Sequence, residues 1–282
     1  MRLDLGEVMH VFYWDSIVTP EIYIIGIGLK GPGLPNWPTA QATLIHGGFE
    51  SLRETPPGVA SLLPPTERRR ATRVTRLALD VAQEAIGNHD PSSIAALFTS
   101  SGGEVGIVHE IFNTLAGPDR RLSPTAFHNS VHNAAAGYWS IASGSRMPSD
   151  SLCAYDDSFG SGLLEGLLRL QEPNDRILLV AYDVPAPYPI SAHRSMTSAF
   201  AVSLLLSRDP KDQAMASINW SYRPDSARVL GLNDPGLEAL RSTNPAARAL
   251  PLLEVIANQV VQTLFVGVGM QGSLCLEVRP CY

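Results

Sequence analysis

Hydrophobic and polar positions along this chain switch between a period of two and a period near 3.6, and the switches mark out its elements. The stretch EIYIIGIGLKGPG is β-rich over residues 22–27 and then breaks into glycines, which predicts an opening strand. GLPNWPTAQATLIHGG follows as loop and a short helix. In PPTERRRATRVTRLALDVAQEAIGN, Val74, Leu77, Ala78, Val81 and Ala85 recur at 3–4 spacing on one face. That predicts one helix, with Thr66 as its N-cap and Gly87 as its stop. IAALFTSSGGEVG predicts a buried strand over 94–99 opening into a turn of small residues. A helix over about 104–115 follows, with Val108, Ile111, Phe112 and Leu115 as its stripe. SVHNAAAGYWSIASG predicts a helix whose small face, Ala134, Ala135, Ala136 and Gly137, lets another backbone approach closely. SDSLCAY predicts a strand, GLLEGLLRLQ a leucine-rich helix, and DRILLVAYDVP a fully apolar strand central in a sheet. SAFAVSLLLSRD and AMASINWSY predict two more strands. Proline and glycine crowd residues 223–250, which read as linker and helix, and QVVQTLFVGVGMQGSLCLEVRP as two strands around a glycine turn. The alternation predicts an α/β layered fold with helices on both sides of a sheet.

Composition narrows the function classes. The 282 residues, 45% apolar and 17% charged, are enough for one large core or two small ones. A net charge of -6 provides no footprint for nucleic acid. The basic cluster Arg68, Arg69, Arg70, Arg73 and Arg76 is local, and reads as the solvated face and first turns of a helix. A docking patch for an acidic carrier protein is its second reading. Three cysteines, Cys153, Cys275 and Cys281, have no spacing pattern, which argues for a reducing compartment and against a disulfide framework or structural zinc. No apolar run reaches the ~18 residues of a membrane span. Acidic residues in MRLDLGEVMHVFYWDS do not suit a signal peptide. A cytoplasmic location with no membrane partner is expected.

The chemistry concentrates in SDSLCAYDDSFGSGLLEGLLRL, where a strand ends in a polar corner and a Gly-Ser-Gly step launches a helix. Three readings compete. Ser158 is a serine nucleophile, since D-D-S-F-G loosely resembles a Gly-x-Ser-x-Gly elbow with Asp156 in place of the first glycine. Alternatively Cys153 is a thiolate nucleophile near a helix N-terminus; its mid-strand place reads rather as a buried small hydrophobe. In the third, the corner keeps the shape of a nucleophile site whose nucleophile has been replaced.

The third reading meets a resemblance. β-Ketoacyl synthases carry, roughly, Thr-Ala-Cys-Ala-Ser-Gly-Leu at a strand end leading into a helix. DSFGSGL keeps the serine, glycine and leucine as Ser161, Gly162 and Leu163, and the family's cysteine falls on Phe159. SPTAFHNSVHNAAAGYWSI resembles the upstream Ser-Pro to Asn-x-x-Ala-Gly run through Ser123, Pro124, Asn133, Ala136 and Gly137. ALFTSSGGEVG, VTRLALDVAQEAI and IYIIGIGLKGPG resemble the preceding turn, helix and opening strand. The resemblance covers residues 20 to about 220, and the histidine-bearing segments of a synthase's second half are not recognisable.

That resemblance implies a thiolase-like α-β-α fold, mainly the N-terminal half of a ketosynthase with a shortened C-terminal part. The expected division is an N-terminal extension over 1–20, a synthase-like domain over 21–222, and a segment over 223–282 completing the sheet. It further implies a non-catalytic chain-length factor of the aryl-polyene (xanthomonadin-like) type. Such a factor pairs as a heterodimer with an active ketosynthase and meets an acyl carrier protein indirectly, with no cofactor and no metal. The positions it assigns to chain length are Gly102, Ala126 and Phe127, and those it assigns to the partner interface are His128, Ala134, Ala135 and Gly137. His128 and His132 stand four apart, a spacing that faces one way on a helix. Hydrogen bonding at an interface or in the core is expected of them, and His193 is expected exposed. The rival class is a free-standing acyl-transfer or hydrolase enzyme using Ser158 or Cys153.

Overall fold

The computed structural model describes residues 20–281, apart from 171–174, 210–211, 226, 228 and 270. The expected N-terminal extension lies outside the described residues except for Pro20.

Within the described residues, one sheet holds eight strands: β1 (Ile22–Lys30), β2 (Ala95–Thr99), β3 (Ser149–Leu152), β4 (Arg176–Asp183), β5 (Phe200–Ser207), β6 (Ala216–Arg223), β7 (Gln262–Val268) and β8 (Gly272–Pro280). Their order is β3-β2-β4-β5-β1-β6-β8-β7. β2 pairs in parallel with both β3 and β4, and the other neighbours pair antiparallel. β6 and β8 pair across eight residues each, so the chain after residue 223 returns to the same sheet.

Nine helices flank it among the described residues: α1 (Trp37–His46), α2 (Pro65–Arg70), α3 (Arg73–Ile86), α4 (Val105–Ala116), α5 (Pro124–Asn129), α6 (Ala134–Ser143), α7 (Ser158–Arg169), α8 (Pro235–Thr243) and α9 (Leu250–Ala257). On one face Leu77, Val81 and Ala85 of α3 and Tyr138 and Trp139 of α6 pack on Phe98, Leu178 and Leu205 of the sheet. On the other, Leu44 of α1, Leu163 and Leu167 of α7 and Leu253 of α9 pack on Leu179, Leu204 and Leu276. β5 is buried at every residue because helices cover both of its faces. Helix α3 lies so close to β1 that a Cβ added at Gly28 would stand 2.0 Å from the Val81 carbonyl oxygen. Gly26 and Gly28, the two glycines in IYIIGIGLK, are there to admit that helix, since a Cβ at Gly26 would likewise stand 2.0 Å from the Ala85 carbonyl oxygen.

The layered α/β arrangement expected from the sequence is the one found. Three local expectations are corrected. The single helix beginning at Thr66 is two helices. The chain turns extended at Ala71, and Thr72, not Thr66, caps α3 by accepting a hydrogen bond from the Thr75 amide at 2.9 Å. The break buries Ala71 and turns the Thr72 and Thr75 hydroxyls onto the buried Glu104 carboxylate. Helix α9 starts at Leu250 and runs through residues 251–257, where the sequence pattern marked no element. Nearly all its side chains are buried, so it has no polar stripe to betray a period. Cys153 lies just past the end of β3 and is exposed, not a buried hydrophobe.

Candidate functional site

Three strand ends converge around the polar corner. β2 ends at Thr99 and runs into the turn Ser100–Ser101–Gly102–Gly103. β3 ends at Leu152 and leads through Cys153 and Ala154 into a single 3-10 turn, Tyr155–Asp157, from which α7 starts at Ser158. β4 ends at Asp183.

Phe159 occupies the first turn of α7, and its ring is 0% exposed, packed with Leu163, Leu167 and Leu179 in the core on that face. Ser158 is also buried, and its hydroxyl is committed locally. It donates to the Tyr155 carbonyl oxygen at 2.7 Å and accepts from the Ala154 amide at 3.1 Å. Those two bonds hold Tyr155 at φ +53, a left-handed conformation costly for a residue with a Cβ. The Cys153 thiol stands 3.4 Å from the Ser101 carbonyl oxygen. Among the described residues, the hydrogen bonds of Ser158 and Cys153 involve no imidazole.

The start of α7 is closed in from above. A Cβ added at Gly160 would stand 1.9 Å from the Gly267 carbonyl oxygen, so β7 lies directly on the helix. Arg248 binds Asp157 at 2.6 Å and Asp156 at 3.2 Å. Arg194 reaches the other Asp156 oxygen at 3.1 Å and the Ser101 hydroxyl at 3.2 Å, and stacks 4.0 Å above the Tyr155 ring. Burial pushes the Asp157 carboxyl up, and Arg248 draws it back down. Asp183, 2% exposed, accepts from the Ser100 and Ser101 hydroxyls and the Ser101 amide, all on Oδ1. Burial raises its carboxyl to about 6.

The remaining positions divide between two places. Phe127, His128, Ala134 and Gly137 line one surface groove of about 460 Å3 between α5 and α6, together with Val131 and Ile141. Phe127 is 64% exposed, and Val131 and Ile141 are exposed as well. Ala126 is half-buried on the same short helix. Gly102 stands apart from that groove, exposed in the turn after β2. Ala135 is a correction: it is 2% exposed and packs in the core with α3. One residue further along a helix is about 100° further around it, so Ala135 cannot share the face of Ala134 and Gly137. His128 and His132 are another. α5 ends at Asn129, so they share no helix. His128 meets the Tyr138 ring edge-on, whereas the His132 Nε2 lies 2.9 Å from the Ser100 carbonyl oxygen. His193 is exposed, as expected. Sequence reading missed Arg194, Arg248 and Asp183, and no local pattern marks them.

Among the described residues no helix is long and apolar enough to cross a membrane. No curated protein matches the chain. Solved structures do. The ketosynthase ApeO in complex with its chain length factor ApeC, from Xenorhabdus doucetiae, matches with a TM-score of 0.70 at 22% identity. That match covers 91% of this chain and 98% of the other. The ishigamide ketosynthase/chain length factor matches with a TM-score of 0.69 at 11% identity, over 93% and 99%. A β-ketoacyl synthase from Burkholderia phymatum STM815 matches with a TM-score of 0.67 at 10% identity, over 93% and 100%. At these identities the likeness establishes the fold, a thiolase-like ketosynthase fold. The sequence model of the β-ketoacyl synthase N-terminal domain matches residues 41–259, most of the length, and the chain belongs to that family.

Proposed function

We propose that this chain is a non-catalytic, ketosynthase-like chain-length factor that pairs with an active β-ketoacyl synthase and shapes its acyl tunnel. The observation that carries the reading is Phe159. At the position where the family's condensing cysteine falls stands an aromatic ring with no exposed surface. A ring forms no thioester, and the neighbouring Ser158 hydroxyl is spent on the backbone of its own corner. Covalent catalysis does not survive the loss of its nucleophile.

Such a subunit acts by packing. Each two-carbon unit that enters a dry tunnel gains roughly 1.5 kcal/mol, from ~0.8 per buried carbon. Where the tunnel ends, the next unit must overpack, at about 1–3 kcal/mol. A wall donated by a partner therefore sets product length without doing chemistry. Phe127 and Ala126 on α5 and Gly102 after β2 are the positions assigned to that wall. The exposed apolar groove between α5 and α6 supports pairing through this face, since contiguous apolar surface of this kind marks interfaces. The partner is an active ketosynthase, with the acyl carrier protein meeting the pair, in aryl-polyene or related synthesis in the cytoplasm.

Co-expression with candidate synthases followed by size-exclusion chromatography tests the pairing. The chain is expected to co-elute with a synthase, and Ile141→Glu in the groove is expected to abolish co-elution. A pure chain that instead hydrolyses a simple aryl ester, and loses that activity in Ser158→Ala or Cys153→Ala, overturns the reading in favour of a free-standing acyl hydrolase.

A further inference from the structure

We infer that Asp183 is the positioning residue of the turn after β2, fixing where Gly102 stands through a polar relay that continues to the corner before α7. The length-setting half of this inference rests on the chain-length reading above.

The turn Ser100–Gly103 is built of small residues, whose backbone entropy is among the costliest to remove. Strand register places Thr99 beside Ala181, which brings Ser101 opposite Asp183. From there one carboxylate oxygen of Asp183 gathers three donors: the Ser101 amide at 2.8 Å, its hydroxyl at 2.6 Å and the Ser100 hydroxyl at 3.1 Å. Ser100 passes the hold onward, because its oxygen accepts from the Gly103 amide at 2.8 Å and the Gly102 amide at 3.4 Å. The backbone amides of the turn from Ser101 to Gly103 thus depend, directly or at one remove, on one side chain.

The backbone of Asp183 is held in turn. The Asp183 carbonyl oxygen accepts from the Asn244 side-chain amide, which also binds the Ser198 carbonyl oxygen. Burying a carboxylate is expensive, and hydrogen bonds from uncharged hydroxyls offset only part of the cost. The other oxygen, Oδ2, has no hydrogen-bond partner among the described residues. A neutral side chain would fill the same space at lower cost, so packing does not explain this one. A charged acceptor, which binds its donors about twice as strongly as a neutral one, does. From Ser101 the relay runs outward through Arg194 to Asp156 and on to Arg248, so the turn and the Phe159 corner are held as one unit.

The test uses Asp183→Ala, Asp183→Asn, Ser100→Ala and Gly102→Leu in the chain co-purified with its synthase. Two quantities are measured: amide hydrogen exchange across residues 99–104 and the length distribution of the product. Asp183→Ala is expected to speed exchange of the Ser101, Gly102 and Gly103 amides at least tenfold and to broaden product length, with β4 unchanged. Ser100→Ala is expected to do so for Gly102 and Gly103 alone, and it serves where Asp183→Ala fails to fold. Asp183→Asn, which keeps an acceptor oxygen but not the charge, is expected to restore only part of both. Exchange that stays at the wild-type rate in Asp183→Ala, or in Ser100→Ala where only that variant folds, overturns the inference. So does raised exchange with an unaltered product, when the product does respond to Gly102→Leu. If Gly102→Leu also leaves the product unaltered, the chain-length reading of the turn fails, while raised exchange still upholds Asp183 as its anchor.

Discussion

The corner before α7 and the face between α5 and α6 are built on opposite principles. At the corner, two arginines and two aspartates are bound to one another, a serine is spent on its own backbone, and Phe159 is sealed in the core. On the α5–α6 face, Phe127, Val131 and Ile141 are exposed, with no apolar layer over them among the described residues. In a family that joins acyl chains, the place expected to hold chemistry is closed and strapped, and the place expected to hold a partner is open. The contrast teaches where the proposed reading, a synthase scaffold kept as a shape, is to be tested.

Substitutions can break that contrast or sharpen it. The largest effect is expected at Phe159. Phe159→Ala should cost about 3–5 kcal/mol in denaturant unfolding, because a fully buried ring leaves a cavity. A loss under about 1 kcal/mol would mean the ring is not core and the slot is not closed.

Next comes the titration of Asp183. Burial raises its carboxyl from 3.8 to about 6, a difference on the order of 3 kcal/mol. The folded state therefore holds a proton that the unfolded chain has released across that window. Stability falls as pH rises from about 4 to about 6, and the full cost is carried above it. Burial raises Glu84 and Glu104 in the same direction, while the ion-paired Asp212 and Glu238 are lowered and oppose it. Unfolding curves at several pH values should show a shallower decline in Asp183→Asn than in the wild type.

Two glycines then separate the regions directly. Gly160→Ala should cost roughly 1–3 kcal/mol, since its methyl would collide with the Gly267 carbonyl on the strand above. Gly137→Ala has nothing within 4 Å to collide with among the described residues, and should gain up to about 1 kcal/mol from helix propensity in the isolated chain. A penalty at Gly137 alone would place unseen structure over the groove. The smallest stability effect belongs to Phe127→Ala, within about 0.5 kcal/mol for an exposed side chain. Its readout is instead product length, expected to increase in the complex with a synthase.

Much of the scaffold was legible in the chain, and the reasons are local. Strands β2, β4 and β5 show as short apolar runs. Helices α3 and α7 show as apolar stripes, and Gly87 ends α3 where expected. Motif order along the chain singled out Phe159, Phe127, His128, Ala134 and Gly137, and the structure brings the last four to one groove. Ala135 was not separable from its neighbours by composition, since only the helix's rotation against α3 decides which alanine faces inward. The break at Ala71 was hidden because its cause, Glu104, lies about thirty residues further on.

By itself the sequence determined the alternation of strands and helices, the family, and the aromatic Phe159 in the polar corner before a leucine-rich helix, because each is written in neighbouring residues and their spacing. Only the tertiary structure decided that this aromatic is sealed, that Arg248 clamps an aspartate 91 residues before it, and that Asp183 faces the turn after β2 from 82 residues away. Such contacts depend on where strand ends meet in space. Periodicity states which face of an element is apolar, and nothing in it states what that face will touch.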